Sequence, residues 1–266
     1  MTDFTGSMAD SMARVARLLF AADAVVALTG AGISAESGLR TFRGATASDL
    51  PADMRALWAE FDPMRLATPE AFAADPAMVS RWYDWRRLGC LAAEPNAGHL
   101  ALADMQRRLG ERGGTLTLIT QNVDRLHQKA GSMGVVELHG TILEWRCTAC
   151  ARRLTPEREP MPHFPSPAPC CDGALLRPDV VWFGEMLPEQ TIAAALRACE
   201  SADVFLSVGT SAVVQPAASL VHVAARAGAA TVEINLDETP ASGAVDWSLR
   251  GQCGEVLPRL VNLAWR

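Results

Sequence analysis

Short apolar runs that end in glycine or polar turns recur along the chain and predict the strands of a sheet. The first run covers residues 24–29 and ends at Gly30, and runs of the same form cover 115–120, 204–209 and 230–235. Because these runs are apolar throughout, they are typical of strands buried on both faces of a parallel sheet. We therefore expect the polar turns that follow them to meet at one edge of that sheet.

Segments with apolar residues at helical spacing separate these runs. A helix is predicted over 7–22, ahead of the first strand, and further helices over 96–109, 188–199 and 217–227. Strands that alternate with helices at this spacing predict an α/β fold with a doubly wound parallel sheet.

Two stretches do not fit this alternation and are interpreted as insertions that form a smaller second lobe. Residues 41–87 are predicted to be helices and loops, with tryptophans at Trp58, Trp82 and Trp85. Residues 147–171 are rich in proline and have cysteines at both ends. A chain of 266 residues is long enough for one large domain that carries such insertions.

The charge balance and the hydropathy exclude several classes of protein. A formal net charge of -6 argues against a constitutive nucleic-acid binder, which needs clustered excess lysine and arginine. No stretch approaches the roughly 18 to 20 consecutive apolar residues of a membrane-spanning helix, and the N-terminus lacks the features of a signal peptide. We expect a cytoplasmic protein that binds neither membranes nor nucleic acids directly. The oligomeric state is not predicted.

The glycine-rich run 30–38 (GAGISAESG) follows the first strand and is expected to open a helix. Backbone N–H groups at such a turn can hold the pyrophosphate of a dinucleotide, and glycine lets the phosphates approach closely. A G-x-G pair alone is also typical of a tight turn without a ligand. The motifs that follow the run decide between these two interpretations.

Six motifs in one order resemble those of the sirtuins. They are GAGISAESGLRTFRG, ITQNVDRLHQKAG, ELHGTILEWRCTAC, LRPDVVWFGE, SVGTSAVVQPA and EINLD. The resemblance extends from Val25 to about Leu260. It implies an enzyme that consumes NAD to remove acyl groups from lysines of peptides or proteins, yielding nicotinamide and an O-acyl-ADP-ribose.

The resemblance also implies a division of the chain into two domains. The large one is a Rossmann-like NAD-binding domain, and the small one consists of a helical module and a zinc module. By this division the Rossmann-like domain takes residues 1–40, 88–143 and 176–266, the helical module 41–87 and the zinc module 144–175.

His139, in the motif ELHG, matches the general base of the family. NAD cleavage builds positive charge at the nicotinamide ribose, and a neutral imidazole beside the ribose hydroxyls can accept a proton. A histidine without such context is more often structural. His99 and His127 are expected to be structural or to support residues that touch the ligand.

Polar residues at the predicted strand ends match the NAD contacts of the family. Gln121, Asn122 and Asp124 would contact nicotinamide and ribose, although asparagine and aspartate at such positions also cap helices. The resemblance implies further contacts to ribose, phosphates and adenosine at Gly30, Ala31, Gly32, Ser34, Phe42, Arg43, Gly209, Thr210, Ser211, Asn235, Leu236, Asp237 and Cys253.

One further segment resembles the part of the family that pairs edge-on with an extended substrate peptide. It consists of Val181, Trp182, Phe183 and Gly184. Pairing of this kind recognises peptide backbone more than side chains, so it predicts a broad tolerance of peptide sequence.

Tyr83 and Arg86 predict a preference for acidic acyl groups. They are three residues apart, so on a helix they share one face and place a hydroxyl beside a guanidinium. Arginine offers the bidentate geometry that a carboxylate prefers, which favours succinyl or malonyl over acetyl groups. This Y-x-x-R, with Thr41 ahead of Phe42 and a small Ala67, resembles the sirtuins that remove acidic acyl groups. The alternative is a solvated face on an arginine-rich helix.

The predicted zinc module departs from the family, which shows two C-x-x-C pairs in a closed tetrahedral site. Here Cys170 and Cys171 are adjacent, and we expect both to reach one ion only with a strained backbone. Three outcomes are open: a strained four-cysteine site, completion by His163 or Asp172, or folding without metal. The candidate ligands are Cys147, Cys150, Cys170 and Cys171.

A second departure is the segment 44–53, which looks longer than the usual loop over the cofactor. A nicotinamide dehydrogenase would share the glycine turn, but it needs an acidic residue after a second strand, roughly 20 positions on. Asp49 and Asp53 have no predicted strand before them. Two further hypotheses are an NAD sensor without turnover and an ADP-ribosyltransferase.

Overall fold

The predicted strands form the centre of a six-stranded sheet in the computed structural model, which describes residues 7–39 and 63–266. All neighbours in this sheet are parallel, in the order β3-β2-β1-β7-β8-β9. The strands are β1 (Ala24–Thr29), β2 (Thr115–Thr120), β3 (Val136–Glu137), β7 (Val204–Val208), β8 (Ala230–Asn235) and β9 (Trp247–Arg250). The chain leaves β1 for β2 on one side and reaches β7 on the other, so the strand order reverses at β1.

Helices cover both faces of this sheet, which confirms the doubly wound fold. They are α1 (Met8–Ala21), α2 (Ala31–Ala35), α6 (Ala97–Glu111), α7 (Leu126–Lys129), α8 (Glu189–Glu200), a 3-10 turn (Ala217–Ser219), α9 (Leu220–Ala227) and α10 (Cys253–Ala264). Val25 and Ala27 of β1 pack against α1, α6 and α10, whereas Val26 and Leu28 pack against α8 and α9. Both faces of β1 are therefore apolar, which is why its sequence does not alternate.

A smaller antiparallel sheet lies beside a group of helices. Its strands are β4 (Gly140–Cys147), β5 (Arg153–Leu154) and β6 (Leu176–Val180), in the order β5-β4-β6. The helices are α3 (Pro63–Leu66), α4 (Pro69–Ala74) and α5 (Pro76–Ala92). They share a core that contains Tyr83, Trp145 and Trp182. Along 7–39 and 63–266, no helix is long and apolar enough to cross a membrane.

Strand pairing does not follow the predicted domain boundaries. We assigned residues 176–180 to the Rossmann-like domain, but this strand pairs with β4 in the small sheet. β4 itself runs across the boundary predicted after residue 143, and α5 runs across the one predicted after residue 87. The division into two domains stays a prediction, and its boundaries would have to fall outside these elements.

Candidate active site

The turns after β1 and β7 are packed directly on each other. A Cβ atom at Gly32 would lie 2.7 Å from the main-chain oxygen of Gly209, and one at Gly30 would lie 2.8 Å from Cα of Thr210. Gly209 has φ +57, and a Cβ there would collide with the main-chain nitrogen of Ile33. Our sequence-based reason for these glycines, close approach of phosphates, was therefore incomplete. Close packing between the two turns already requires them.

A hydrogen-bonded network of short side chains joins α2 to the end of β2. The Ser34 hydroxyl donates to Oδ2 of Asp124 at 2.8 Å and accepts from Nδ2 of Asn122 at 3.1 Å. Asn122 Nδ2 also donates to the carbonyl of Gly30 at 3.0 Å. Burial raises the pKa of Asp124, and its hydrogen bonds from Leu126 and Ser34 oppose that shift. Oδ1 of Asp124 also accepts from the N–H of Leu126, the first residue of α7, at 2.9 Å, whereas the N-cap position of that helix is taken by Arg125.

His99 and His127 lie behind this network and are fully buried. Their ring centroids are 4.8 Å apart, and Nε2 of His127 is 2.9 Å from the hydroxyl of Thr29. Nε2 of His99 is 3.4 Å from the Ser34 hydroxyl. Burial lowers the pKa of His99 to about 4, and burial together with the charge of His99 lowers that of His127 to about 3. Both rings are neutral at pH 7, and their contacts agree with the supporting role expected of them.

His139 is oriented by the backbone at the end of β2. Its Nδ1 lies 3.0 Å from the main-chain oxygen of Gln121. A carbonyl oxygen only accepts, so Nδ1 carries the hydrogen and Nε2 keeps its lone pair. Burial lowers the pKa of His139, and the bond to Gln121 partly opposes this. The ring is thus a neutral base at pH 7 with Nε2 as its proton acceptor.

The end of β8 joins the same edge of the sheet. Nε2 of Gln121 donates to the Thr210 hydroxyl at 2.9 Å, and Nδ2 of Asn235 donates to the Thr210 carbonyl at 2.9 Å. Three residues predicted for the phosphates and adenosine, Ser211, Leu236 and Asp237, are exposed beside them.

Cys253 begins α10 and is 4% exposed. Burial raises the pKa of its thiol to about 12, so the thiol keeps its proton. Ala31 begins α2 next to Gly30. Thr41, Phe42, Arg43 and the segment 44–53 lie outside the described residues.

The segment from Val181 to Gly184, which we predicted to pair with a substrate peptide, follows β6 and enters a tight turn from Trp182 to Glu185. The Glu185 N–H donates to the Trp182 carbonyl at 3.0 Å, and Gly184 has φ +87, a value that favours glycine. The N–H groups of Val181, Trp182 and Phe183 are used within the chain. They donate to the carbonyl of His139 at 2.9 Å, the carboxylate of Glu185 at 2.8 Å and the carbonyl of Ala67 at 2.9 Å. These three N–H groups are therefore occupied in this conformation, and the pairing of the segment with a substrate peptide stays a prediction.

Tyr83 and Arg86 lie on one face of α5, where Tyr83 is buried and Arg86 is half-buried. Tyr83 is only 2% exposed, and its hydroxyl accepts a hydrogen bond from the indole Nε1 of Trp182 at 3.0 Å. The guanidinium carbon of Arg86 lies 4.7 Å from the ring centroid of Trp82 and 5.8 Å from that of Tyr83. Ala67 is buried in the same cluster. The structure thus places Arg86 and Ala67 close to Tyr83, and these three residues were among those that predicted a preference for acidic acyl groups.

Sequence reasoning missed the charged pair that supports this cluster. Arg177 and Glu185 form a two-pronged ion pair with N···O distances of 2.6 and 2.9 Å. The guanidinium carbon of Arg177 lies 3.3 Å from the ring centroid of Trp182. The sequence carried no clear signal for this pair, because Asp179 also lies between Arg177 and Glu185.

The match to known proteins extends over most of the chain. The Sir2 family model matches residues 30–216. An NAD-dependent protein deacylase 1 of Archaeoglobus fulgidus is 50% identical over 240 residues, covering 90% of this chain and 91% of that protein. The chain belongs to the Sir2 family.

Solved Sir2 structures have the same fold. A Sir2 homologue in complex with NAD is 46% identical, with a TM-score of 0.83, and the match covers 94% of this chain and 93% of that one. A Sir2 protein bound to an acetylated peptide is 30% identical, with a TM-score of 0.76 and coverage of 94% and 97%. Membership in the family rules out the dehydrogenase hypothesis.

Four of the seven cysteines of this Sir2-family chain form one cluster. The sulfurs of Cys147, Cys150, Cys170 and Cys171 all lie within 4.8 Å of one another. A tetrahedral zinc site with Zn–S bonds of about 2.3 Å needs sulfur separations of about 3.8 Å, so the cluster fits zinc. The Ala149 N–H donates to the sulfur of Cys147 at 3.4 Å, and a hydrogen bond from Cys150 N–H helps lower the Cys147 pKa to about 7.

The adjacent cysteines reach the cluster without the strain that we expected of them. The left-handed backbone near the site is at Ala151 (φ 58) and Gly173 (φ 71), not at Cys170 or Cys171. With four sulfurs in place, a ligand from His163 or Asp172 is not needed. Zinc here would hold the small sheet closed and take no part in the chemistry.

The zinc module is tied to the helix that carries Tyr83 and Arg86. Arg87 of α5 donates to the carbonyls of Glu157 and Glu159 at 2.6 and 2.7 Å. Asp84, paired with Arg87, accepts from the N–H of Met161 at 3.1 Å. Both side chains are buried, so loosening the module should disturb α5.

Proposed function

We propose that this Sir2-family chain consumes NAD to remove acyl groups from protein lysines and prefers groups that end in a carboxylate, such as succinyl and malonyl. Acetyl groups would be removed more slowly. NAD-dependent protein deacylase is what its relative from Archaeoglobus fulgidus is named. The observation that carries the chemistry is His139, a neutral base held by a backbone carbonyl beside the strand ends.

The strand ends carry the groups that NAD requires. Gln121 and Asn122 supply amides, Asp124 a carboxylate and Thr210 a hydroxyl, which suit the nicotinamide amide and the ribose hydroxyls. The glycine turns leave backbone rather than side chains at the expected phosphate position. When bound, NAD supplies a cleavable nicotinamide–ribose bond and the ribose that receives the acyl group.

His139 would remove a proton from a ribose hydroxyl. Its neutral form is required, and burial keeps the pKa of His139 below its ordinary value. The carbonyl of Gln121 fixes the tautomer, so Nε2 needs no ring rotation before it accepts the proton.

Two features support the acyl preference. Arg86 and Tyr83 place a cation and a hydroxyl on the same face of α5, a combination that binds a carboxylate through charge-assisted hydrogen bonds. Burial raises the pKa of Tyr83 to about 12, so the hydroxyl keeps its hydrogen. The small Ala67 leaves room for a longer acyl group. The turn 181–184 would contact the peptide through groups other than the N–H groups already used.

The test compares a succinyl-lysine peptide, an acetyl-lysine peptide and an unmodified peptide, each with NAD. We expect nicotinamide release and free lysine only when NAD and an acylated peptide are both present. Arg86→Ala should lower kcat/KM for the succinyl peptide about 10- to 100-fold, because a charged hydrogen-bonding partner is lost. Arg81→Ala, an exposed arginine on the same helix, is the matched control. No loss of NAD would refute the deacylase, and an unchanged succinyl preference in Arg86→Ala would refute the clamp.

A further inference from the structure

The Tyr83 hydroxyl has a fixed direction because of its partner. An indole N–H can only donate, so the Tyr83 oxygen must accept the hydrogen bond from Trp182. The hydrogen of the Tyr83 hydroxyl then points away from Trp182. A carboxylate has only acceptors, so it needs that hydrogen.

Trp182 is itself held on two sides. Its main-chain N–H donates to the Glu185 carboxylate at 2.8 Å, and the guanidinium carbon of Arg177 lies 3.3 Å from the centroid of its ring. Glu185 pairs with Arg177, which also donates to the carbonyl of Val180 at 2.9 Å. Trp182 and Arg177 are 3% and 8% exposed, so water screens these contacts little.

We propose that Trp182, held by the ion pair of Arg177 and Glu185, is a positioning residue that makes the Tyr83 hydroxyl a hydrogen donor toward a carboxylate on the acyl group. This inference rests on the proposed acyl preference. It gives Trp182 a role in selecting the acyl group, separate from contact with the peptide backbone. Without the indole N–H, the hydroxyl is free to rotate.

The decisive variant is Trp182→Phe, which removes the indole N–H and keeps an aromatic ring. We expect the ratio of kcat/KM for succinyl to acetyl peptides to fall about tenfold, mainly through a higher KM for the succinyl peptide. Trp145→Phe is the matched control, because Trp145 is buried in the same cluster and its Nε1 has no hydrogen-bond partner within 7–39 and 63–266. The control should keep the wild-type ratio.

A double-mutant cycle separates positioning from packing. Adding Tyr83→Phe to Trp182→Phe should lower the ratio little further, because both changes remove the same oriented hydroxyl. Equal losses with both acyl groups would instead indicate a structural role and overturn the inference. If Trp182→Phe does not fold, Arg177→Lys is the second test of the positioning role, because it keeps the charge and loses the planar stacking on Trp182. A smaller fall in the ratio is then expected, and an unchanged ratio overturns the inference.

The two proposals fail in different ways. A wild-type enzyme with no succinyl preference, unaffected by Arg86→Ala, refutes the acyl preference itself. A wild-type preference that Arg86→Ala abolishes and Trp182→Phe preserves refutes only the positioning role.

Discussion

The two polar networks of the site are formed by different kinds of side chain. The network on the cofactor side uses short side chains, such as Ser34 and Asn122, that follow strand ends and bond to backbone carbonyls. The network on the acyl side uses long aromatic and charged side chains, Tyr83, Trp182 and Arg177, drawn from a helix, a turn and an antiparallel strand.

If the proposed function is correct, this difference separates the residues that act on NAD from those that select the acyl group. Groups on the cofactor side are fixed by the sheet, and the turns after β1 and β7 leave no space for change there. Groups on the acyl side are fixed by one another, so a side-chain change can alter their preference while the sheet stays intact. Substitutions on the two sides should therefore have different signatures.

The largest expected effect comes from removing the metal cluster. Cys150→Ser should lose bound zinc, and because structural zinc can contribute about 10 kcal/mol to folding, the small sheet should loosen. Arg87 and Asp84 of α5 bond to the zinc module, so a looser module should disturb α5. The succinyl preference should therefore fall further than the NAD affinity does. Metal analysis, NAD titration and peptide kinetics measure the three quantities. Cys199→Ala, which changes a cysteine outside the cluster, is the control. If Cys150→Ser lowered the succinyl preference and the NAD affinity equally, this would argue against a link between the zinc module and α5.

Removing the proposed base, His139, should abolish most of the catalytic activity without unfolding the chain. His139→Ala is expected to lower kcat about 10²- to 10⁴-fold, because general-base catalysis contributes that much. Steady-state nicotinamide release measures the rate, and the melting temperature shows whether the fold survives. His222→Ala, an exposed histidine on α9, should behave as wild type. An active His139→Ala enzyme would contradict the assigned base.

A substitution at the contact between the turns after β1 and β7 should lower the free energy of unfolding. Gly209→Ala combines a left-handed φ with a collision at Ile33, so it should lower the free energy of unfolding by about 2 to 4 kcal/mol. Gly110→Ala in α6 has nothing within 4 Å of its new Cβ and should raise it by about 0.5 to 1 kcal/mol. Urea unfolding compares the two. A neutral Gly209→Ala would mean that the turns can separate.

Acid should destabilise the network behind the cofactor side. The unfolded pKa of a histidine is near 6.5, and those of His99 and His127 fall to about 4 and about 3 in the folded chain. Because the unfolded chain binds more protons, stability is intact above pH 6.5 and is lost as pH falls below it, by about 2 kcal/mol per histidine at pH 5. His127→Gln should reduce the loss between pH 7 and pH 5, and His222→Gln should not. An equal loss in both variants would exclude His127 as the cause.

The sequence predicted the cofactor side better than the acyl side for a physical reason. β1, β2 and β8 begin and end where predicted, because a strand buried on both faces must be apolar throughout. β3 and β9 were missed because they have only two and four residues. α10 was also missed, and Pro258 lies inside it.

The acyl side depends on contacts between residues distant in sequence. Tyr83 and Trp182 are 99 positions apart, so nothing local in the arginine-rich helix shows that Tyr83 is buried. The turn from Trp182 to Glu185 was not predicted, because it depends on the left-handed conformation of Gly184 and on a hydrogen bond from the main-chain N–H of Trp182 to the Glu185 carboxylate. Family motifs located these residues without predicting their conformation.

The contact between Gly32 and Gly209 has an evolutionary consequence. Because each glycine occupies the space that the other's side chain would need, a lineage that substitutes either one passes through a poorly folded ancestor. Substitution is therefore disfavoured where NAD is expected to bind, whereas changes around Tyr83 leave the parallel sheet intact. New acyl preferences can therefore arise on this scaffold while its use of NAD is inherited unchanged.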